Sequence, residues 1–314
     1  MAAPPAATRS QGARAILAIL GAGVVFTAHD VLMKLSSGAY PVTELLVLRS
    51  LAAYLPLLVL LHLDGGLGGL RSRRLRLHLL RTLLLFLTFS AYYVALAAIP
   101  LSEAAPLYYA APLYIAALSG PLLGERVGAG RWAAVIAGLV GVVAICRPGA
   151  ALFEPAALLA AASAVFYALA QLMARSLGRT ERAATMAFFQ NTTNLLGAAV
   201  VAVLIGGAGS GGLEHPSLRF LTRPWSVPSP ADGLLIFATG LLAALGSWSL
   251  TQGYRLGSPH LVAPFEYGAV VLAMIAGVLI WDERLTASMV IGAVLVVGAG
   301  LMLLRAGPGK AHDV

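Results

Sequence analysis

The sequence predicts an all-α integral membrane protein of ten transmembrane helices, arranged as two inverted five-helix repeats. Three observations carry that expectation. Of 314 residues, 59% are hydrophobic and only 11% charged, against about 25% charged in soluble domains, so the chain could not coat a globule with polar surface. Apolar stretches near the length of about 20 residues that crosses a bilayer recur ten times. And the chain matches itself when slid by 158 residues.

The candidate spans of the first half cover 14–35, 42–62, 78–98, 102–123 and 131–147. Those of the second cover 155–175, 183–206, 231–254, 259–281 and 287–304. Only helices and closed barrels satisfy their own backbone in lipid, and runs such as "LLRTLLLFLTF" lack the alternation of a barrel wall. The basic N-terminus followed by an apolar run has the look of a signal peptide. The run continues to about Val31 without a small-x-small cleavage site, so it reads as a retained span. The longest connection, "GGAGSGGLEHPSLRFLTRPWSVPSPA" (206–231), is rich in Gly, Pro and Ser and reads as a loop without an evident role. No segment between spans is large enough for a soluble domain.

With the N-terminus inside, fifteen of the 21 Lys and Arg fall on the cytoplasmic side and five outside. The positive-inside rule then puts both termini in the cytoplasm. The net charge of +8 is therefore membrane topology, and nucleic acid is not an expected partner. The expected organisation is a cytoplasmic tail at 1–13, repeats at 14–147 and 148–305, and a second tail at 306–314. In the self-match Pro106 meets Pro264, Tyr109 meets Tyr267, Glu125-Arg126 meets Glu283-Arg284, and Arg147 meets Arg305. Five spans per half is odd, so the copies must be inverted, the construction of secondary transporters.

Two stretches add a family resemblance. "AHDVLMKLSSGAYPVTELLVLRS" carries Asp30, Lys34, Tyr40, Pro41 and Arg49; "VAPFEYGAVVLAMIAGVLIWDERLT" carries Glu266. With a Glu-Arg turn before the last helix of each half, the chain resembles the EamA branch of the drug/metabolite transporter superfamily. The likeness covers all but about the first dozen and last ten residues. It implies a multi-pass carrier of the bacterial inner membrane, moving a small-molecule metabolite through the lipid bilayer on gradients rather than ATP. Substrates across such proteins are as different as S-adenosylmethionine, riboflavin and amino-acid-like metabolites.

A charge at the centre of a lone transmembrane helix costs about 2.5–3.5 kcal/mol on insertion scales, so such groups face a protein interior or a wet cavity. Asp30, Glu44, Arg49 and Glu266 qualify. Asp30 and Lys34 stand i, i+4, acid first, the favourable order for a helical pair; they read as a gate or a structural ion pair. Arg49 offers a planar fork for a carboxylate or phosphate, or a clamp on Asp30. Glu266 follows Pro264, which loosens the helix, and its repeat counterpart is Tyr108. Without a permanent partner it would be a proton carrier; paired with Arg49 it would join the halves.

Tyr92, Tyr93, Tyr108, Tyr109, Tyr114, Trp248 and Tyr267 read singly as packing, and as a set they suit a cavity for a flat molecule. Gln171, Gln190, Asn191, Asn194 and Gln252 read as bonds between helices. The substrate-binding set expected from all this is Asp30, Arg49, Tyr92, Tyr108, Tyr109, Gln171, Trp248, Glu266 and Tyr267. Ala134, Gly138, Gly141, Gly292, Gly298 and Gly300 mark close-packing helices, within the chain or across a homodimer.

Other chemistry finds little support. A single cysteine, Cys146, excludes a disulfide within the chain and a Cys-based zinc cluster. His29, His62, His78, His215, His260 and His312 are scattered, mostly near the membrane surfaces, and HExxH, P-loop and GxSxG motifs are missing. No metal, cofactor or enzyme activity is expected; a membrane-embedded enzyme or a non-transporting sensor or scaffold is the alternative.

Overall fold

The computed structural model describes residues 9–63, 66, 70, 74–123, 128–146, 154–177, 182–205, 214–256 and 263–305. Among them the long elements are all helical, the only open-sheet-free solution for a chain in lipid other than a barrel. In chain order they are α1 (Arg9–Ser36), α2 (Val42–Leu63), α3 (Leu75–Leu96), α4 (Leu101–Tyr108), α5 (Ala111–Leu123) and α6 (Ala129–Cys146). The second half holds α7 (Pro155–Leu177), α8 (Ala183–Ile205), α9 (Pro216–Thr222), α10 (Pro230–Leu256), α11 (Gly268–Trp281) and α12 (Ala287–Arg305). Seven of these (α1, α2, α3, α6, α7, α8 and α10) are long and apolar enough to cross a bilayer, and α11 and α12 are shorter apolar helices. Their outward faces keep large apolar side chains exposed, among them Leu55, Val203 and Leu279, which suits hydrocarbon and not water.

Two stretches expected as continuous spans are interrupted. The stretch 102–123 divides at Tyr109–Ala110 into α4 and α5. Pro112, at the second position of α5, has no N–H to return to the Tyr108 carbonyl, so the first helix stops there. The stretch 259–281 is described from Ala263 and opens as a 3-10 turn over Ala263–Tyr267 before α11 begins. At its other end Asp282 adopts the left-handed conformation (φ 52°); its N–H donates to Val278 O at 3.1 Å and the Glu283 N–H donates to Gly277 O at 3.2 Å. The Glu125-Arg126 turn of the first half lies outside the described residues.

The connection at 206–231 is more than loop. Its described part contains α9, with Phe220 buried beneath it, and it straps across the C-terminal ends of α1 and α3 and the start of α2. Ser217 Oγ donates to Val94 O (2.7 Å), Arg223 Nη1 to Ser37 O (3.1 Å) and Trp225 Nε1 to Thr43 Oγ1 (3.0 Å). The Ser226 amide donates to Glu44 Oε2 at 3.2 Å. Glu44, one of the four intramembrane charges, is thus a tether for this strap. Tyr40 adds a bond to Asp232 at 2.7 Å.

The helices pair α1 with α10, α3 with α7, α2 with α8 and α6 with α12, and less extensively α2 with α10, α3 with α8 and α4 with α11. Small residues let the backbones approach. A Cβ at Gly141 would fall 2.7 Å from the Gly292 carbonyl, and one at Gly292 would meet the Gly141 carbonyl at the same distance. These two glycines therefore serve the α6–α12 contact within the chain.

Candidate functional site

A cavity of about 380 Å³ lies between the two halves. Each wall is one face of a helix. On α1 the lining residues include Ile19, Gly23, Phe26 and Asp30; on α3 they are Arg81, Leu85, Phe89, Tyr92 and Tyr93; on α2 they are Arg49, Ala53 and Leu57. Spacings of three and four residues hold these side chains on a common stripe. From Arg81 to Tyr92 the α3 stripe advances eleven residues, about 17 Å of helix axis. Side chains from α7, α8, α10 and the 3-10 turn complete the lining, among them Tyr167, Gln171, Asn194, Ser247 and Glu266. Tyr108 and Tyr109 enter where α4 breaks.

One end of the cavity is occupied by a buried hydrogen-bonded chain. Tyr92 donates to Asp30 Oδ2 at 3.0 Å. His29 Nδ1 lies 3.2 Å from Asp30 Oδ1, and His29 Nε2 lies 3.2 Å from Arg49 Nη1. Arginine can only donate, so Nε2 accepts and Nδ1 carries the hydrogen given to Asp30. Arg49 Nη1 also donates to the Tyr93 hydroxyl at 3.2 Å. Its guanidinium sits 5.9 Å from the Phe89 ring and 5.5 Å from that of Tyr93, within cation–π range. Asp30 balances the arginine charge through the histidine between them.

Rings continue from this cluster. Tyr92 and Tyr93 have centroids 5.5 Å apart, Tyr92 and Tyr108 5.0 Å, and Tyr108 lies 5.5 Å from both Tyr109 and Tyr167. Toward the other end of the α3 stripe stands Arg81. It is 7% exposed, and its Nε and Nη1 have no hydrogen-bond partner.

Of the nine residues expected to bind substrate, Asp30, Arg49, Tyr92, Tyr108, Tyr109, Gln171 and Glu266 line this cavity. Trp248 does not: it is 46% exposed on the outside of α10, one position past the lining residue Ser247. Tyr267 is also elsewhere. It is buried against α12, where Gly300 leaves room for its hydroxyl, and that hydroxyl has no hydrogen-bond partner. Asp30 and Lys34 do not pair. Lys34 Nζ donates to Ile99 O (2.6 Å) and Leu96 O (3.3 Å) and lies 3.5 Å from Glu283 Oε1. Glu283 in turn accepts the amides of Leu101 (2.8 Å) and Ser102 (3.0 Å), the first residues of α4, as a carboxylate at a helix N-terminus does. The i, i+4 spacing left each side chain free to find a better partner on a neighbouring element.

Several members were not in the expected set. His29, read as a residue near a membrane surface, is the middle of the buried chain. Arg81 had counted only toward cytoplasmic charge, and Phe89 and Tyr167 had not been singled out. The signal for Arg81 and Phe89 was present as the spacing of 81, 85, 89 and 92. Asn191, expected between helices, does donate to Ser50 O at 2.9 Å while also lining the cavity. Among the described residues no group of three His, Cys, Asp or Glu could hold a metal.

Comparison with known proteins places this geometry in context. The model of the EamA-like transporter family matches twice, over residues 13–147 and 154–305. A riboflavin transporter of Rhizobium johnstonii is 31% identical over 240 residues, 76% of this chain and 74% of the relative. A riboflavin transporter of Vibrio cholerae is 28% identical, covering 89% of each chain. An S-adenosylmethionine uptake transporter of Rickettsia conorii is 24% identical, over 76% of this chain and 75% of the relative.

Proposed function

The chain belongs to the EamA-like transporter family, and on that premise we propose that it carries a small, ring-bearing organic metabolite across the bacterial inner membrane by alternating access. By family and by relatives it is a transporter of small metabolites. The observation that carries the finer reading is the cavity itself. It is bounded by both halves, edged with tyrosine rings, and supplied with a few charged groups that lipid would not tolerate. Stacking faces with sparse polar contacts suit a flat heterocycle with hydrophilic substituents. The expected substrate contacts are Asp30, Arg49, Tyr92, Tyr108, Tyr109, Gln171 and Glu266.

The ten-span, two-repeat architecture belongs to this proposal, with α4–α5 and the 3-10 turn with α11 each counted as one span. Reciprocal pairing supports it. α1 packs on α10 as its counterpart α7 packs on α3, while α2–α8 and α6–α12 each join an element to its own counterpart. At the 158-residue offset the break at Tyr109–Ala110 corresponds to Tyr267–Gly268, where the 3-10 turn gives way to α11, as expected for discontinuous helices at a transport site. Both termini are assigned to the cytoplasm on the charge distribution, so the strap and the Lys34–Glu283 contact seal the outer face and the cavity serves the inner side.

The test is flux. Purified protein in liposomes, offered radiolabelled riboflavin, S-adenosylmethionine and tryptophan in turn, should give saturable uptake of at least one. That uptake should fall at least tenfold in Tyr92→Ala, and a folded protein that moves none of them defeats the proposal.

A further inference from the structure

We infer that Arg81 is an oxyanion subsite, so that the cargo is a flat aromatic metabolite bearing a carboxylate or phosphate at the end remote from Arg49. The inference rests on the transport reading above and goes beyond it by fixing the charge of the cargo.

Two arginines reach the cavity, and they differ in what they already hold. Arg49 Nη1 is bonded to His29 and Tyr93, its guanidinium is set among rings, and Asp30 balances it through His29. Arg81 has none of this. Its side chain is more than nine-tenths buried, and Nε and Nη1 have no hydrogen-bond partner. Asp30 cannot neutralise it, because Tyr92, which holds Asp30, is eleven residues along the same helix, about 17 Å away. An arginine kept only for topology would extend its head to the membrane surface, whereas Arg81 lines the cavity with its head enclosed.

A buried, unanswered guanidinium is expensive unless something anionic completes it, and its planar fork matches a carboxylate or phosphate. Neighbouring α3 positions pack on α8: Thr193 Oγ1 donates to Thr82 Oγ1 at 2.9 Å and the Phe189 ring lies 4.7 Å from the His78 ring. These contacts turn that side of α3 toward α8 and leave Arg81 facing the cavity. Along the α3 stripe Arg81 is followed by the rings of Phe89, Tyr92 and Tyr93, with Arg49 of α2 over Phe89 and Tyr93, so one cargo could stack along the wall with its anionic tail on Arg81.

Matched ligands test this. Thermal stabilisation of the detergent-solubilised full chain is measured with riboflavin and flavin mononucleotide, and with tryptamine and tryptophan. In the wild type the member bearing the carboxylate or phosphate, in at least one pair, should bind at least tenfold more tightly than its mate without it. Arg81→Gln should remove that preference while leaving riboflavin or tryptamine binding unchanged, and Arg81→Lys should restore part of it. An unchanged preference in Arg81→Gln overturns the subsite and leaves the transport reading standing. Binding by no member of either pair overturns the inference together with the aromatic-cargo reading. Flavin mononucleotide against tryptophan separates a phosphate from a carboxylate specificity.

Discussion

The Lys34 ammonium and the Glu283 carboxylate lie 3.5 Å apart, joining a helix of the first half to the turn before the last helix of the second. The same carboxylate holds the first two amides of α4, so three elements meet on one side chain.

Removing one member of a buried ion pair costs about 3–5 kcal/mol. Glu283→Ala should therefore lower the melting temperature of the purified protein and loosen the sealed face. In a Cys146→Ser background, a cysteine placed at Asp30 should be modified at least tenfold faster by an impermeant maleimide when Glu283 is alanine. Equal rates would mean that the contact does not hold that face shut.

Two tyrosines predicted alike from sequence should behave differently. Tyr92→Phe removes a hydrogen bond to a carboxylate, worth about 1.5–3 kcal/mol, and should reduce both stability and transport. Tyr267→Phe removes a buried hydroxyl that bonds to nothing, so stability should be unchanged or higher and transport rates equal. Thermal denaturation beside initial uptake rates distinguishes them.

Arg49→Lys keeps the charge and loses the planar head set between rings. About 1–2 kcal/mol of cation–π attraction corresponds to roughly tenfold in binding, and the loss should fall equally on anionic and neutral cargo. A loss confined to anionic ligands would return the oxyanion role to Arg49.

Glu266→Gln should abolish accumulation driven by a pH gradient while leaving exchange between equal pools intact. The neutral isostere keeps the shape of the cavity and removes the only proton this position could carry. Accumulation at the wild-type level would take Glu266 out of the coupling step.

How much of this could be read in advance depends on the range of each interaction. Helices along apolar stretches follow from composition, because lipid leaves the backbone few alternatives. Seven of nine expected binding residues line one cavity because intramembrane charges and tyrosines are costly anywhere else. Trp248 and Tyr267 are the exceptions, since facing depends on helix rotation, which composition does not encode. The partners of Lys34 and Glu44 were out of reach for a different reason: they sit 249 and 182 residues away in the chain. Local spacing suggested Asp30 for Lys34, and tertiary contact overrode it. The break at Tyr109 was within reach, since Pro112 announces it.

The strap and the Glu283 turn both come from the later half of the chain, and this bears on biogenesis. At about 5–20 residues per second, the ribosome needs roughly 12–50 seconds after Lys34 to deliver Glu283. Throughout that interval the ammonium in α1 lacks its carboxylate, and for most of it the carboxylate of Glu44 lacks the Ser226 amide. The insertion machinery must therefore shelter the nascent first half, and maturation ends only when the final hairpin arrives.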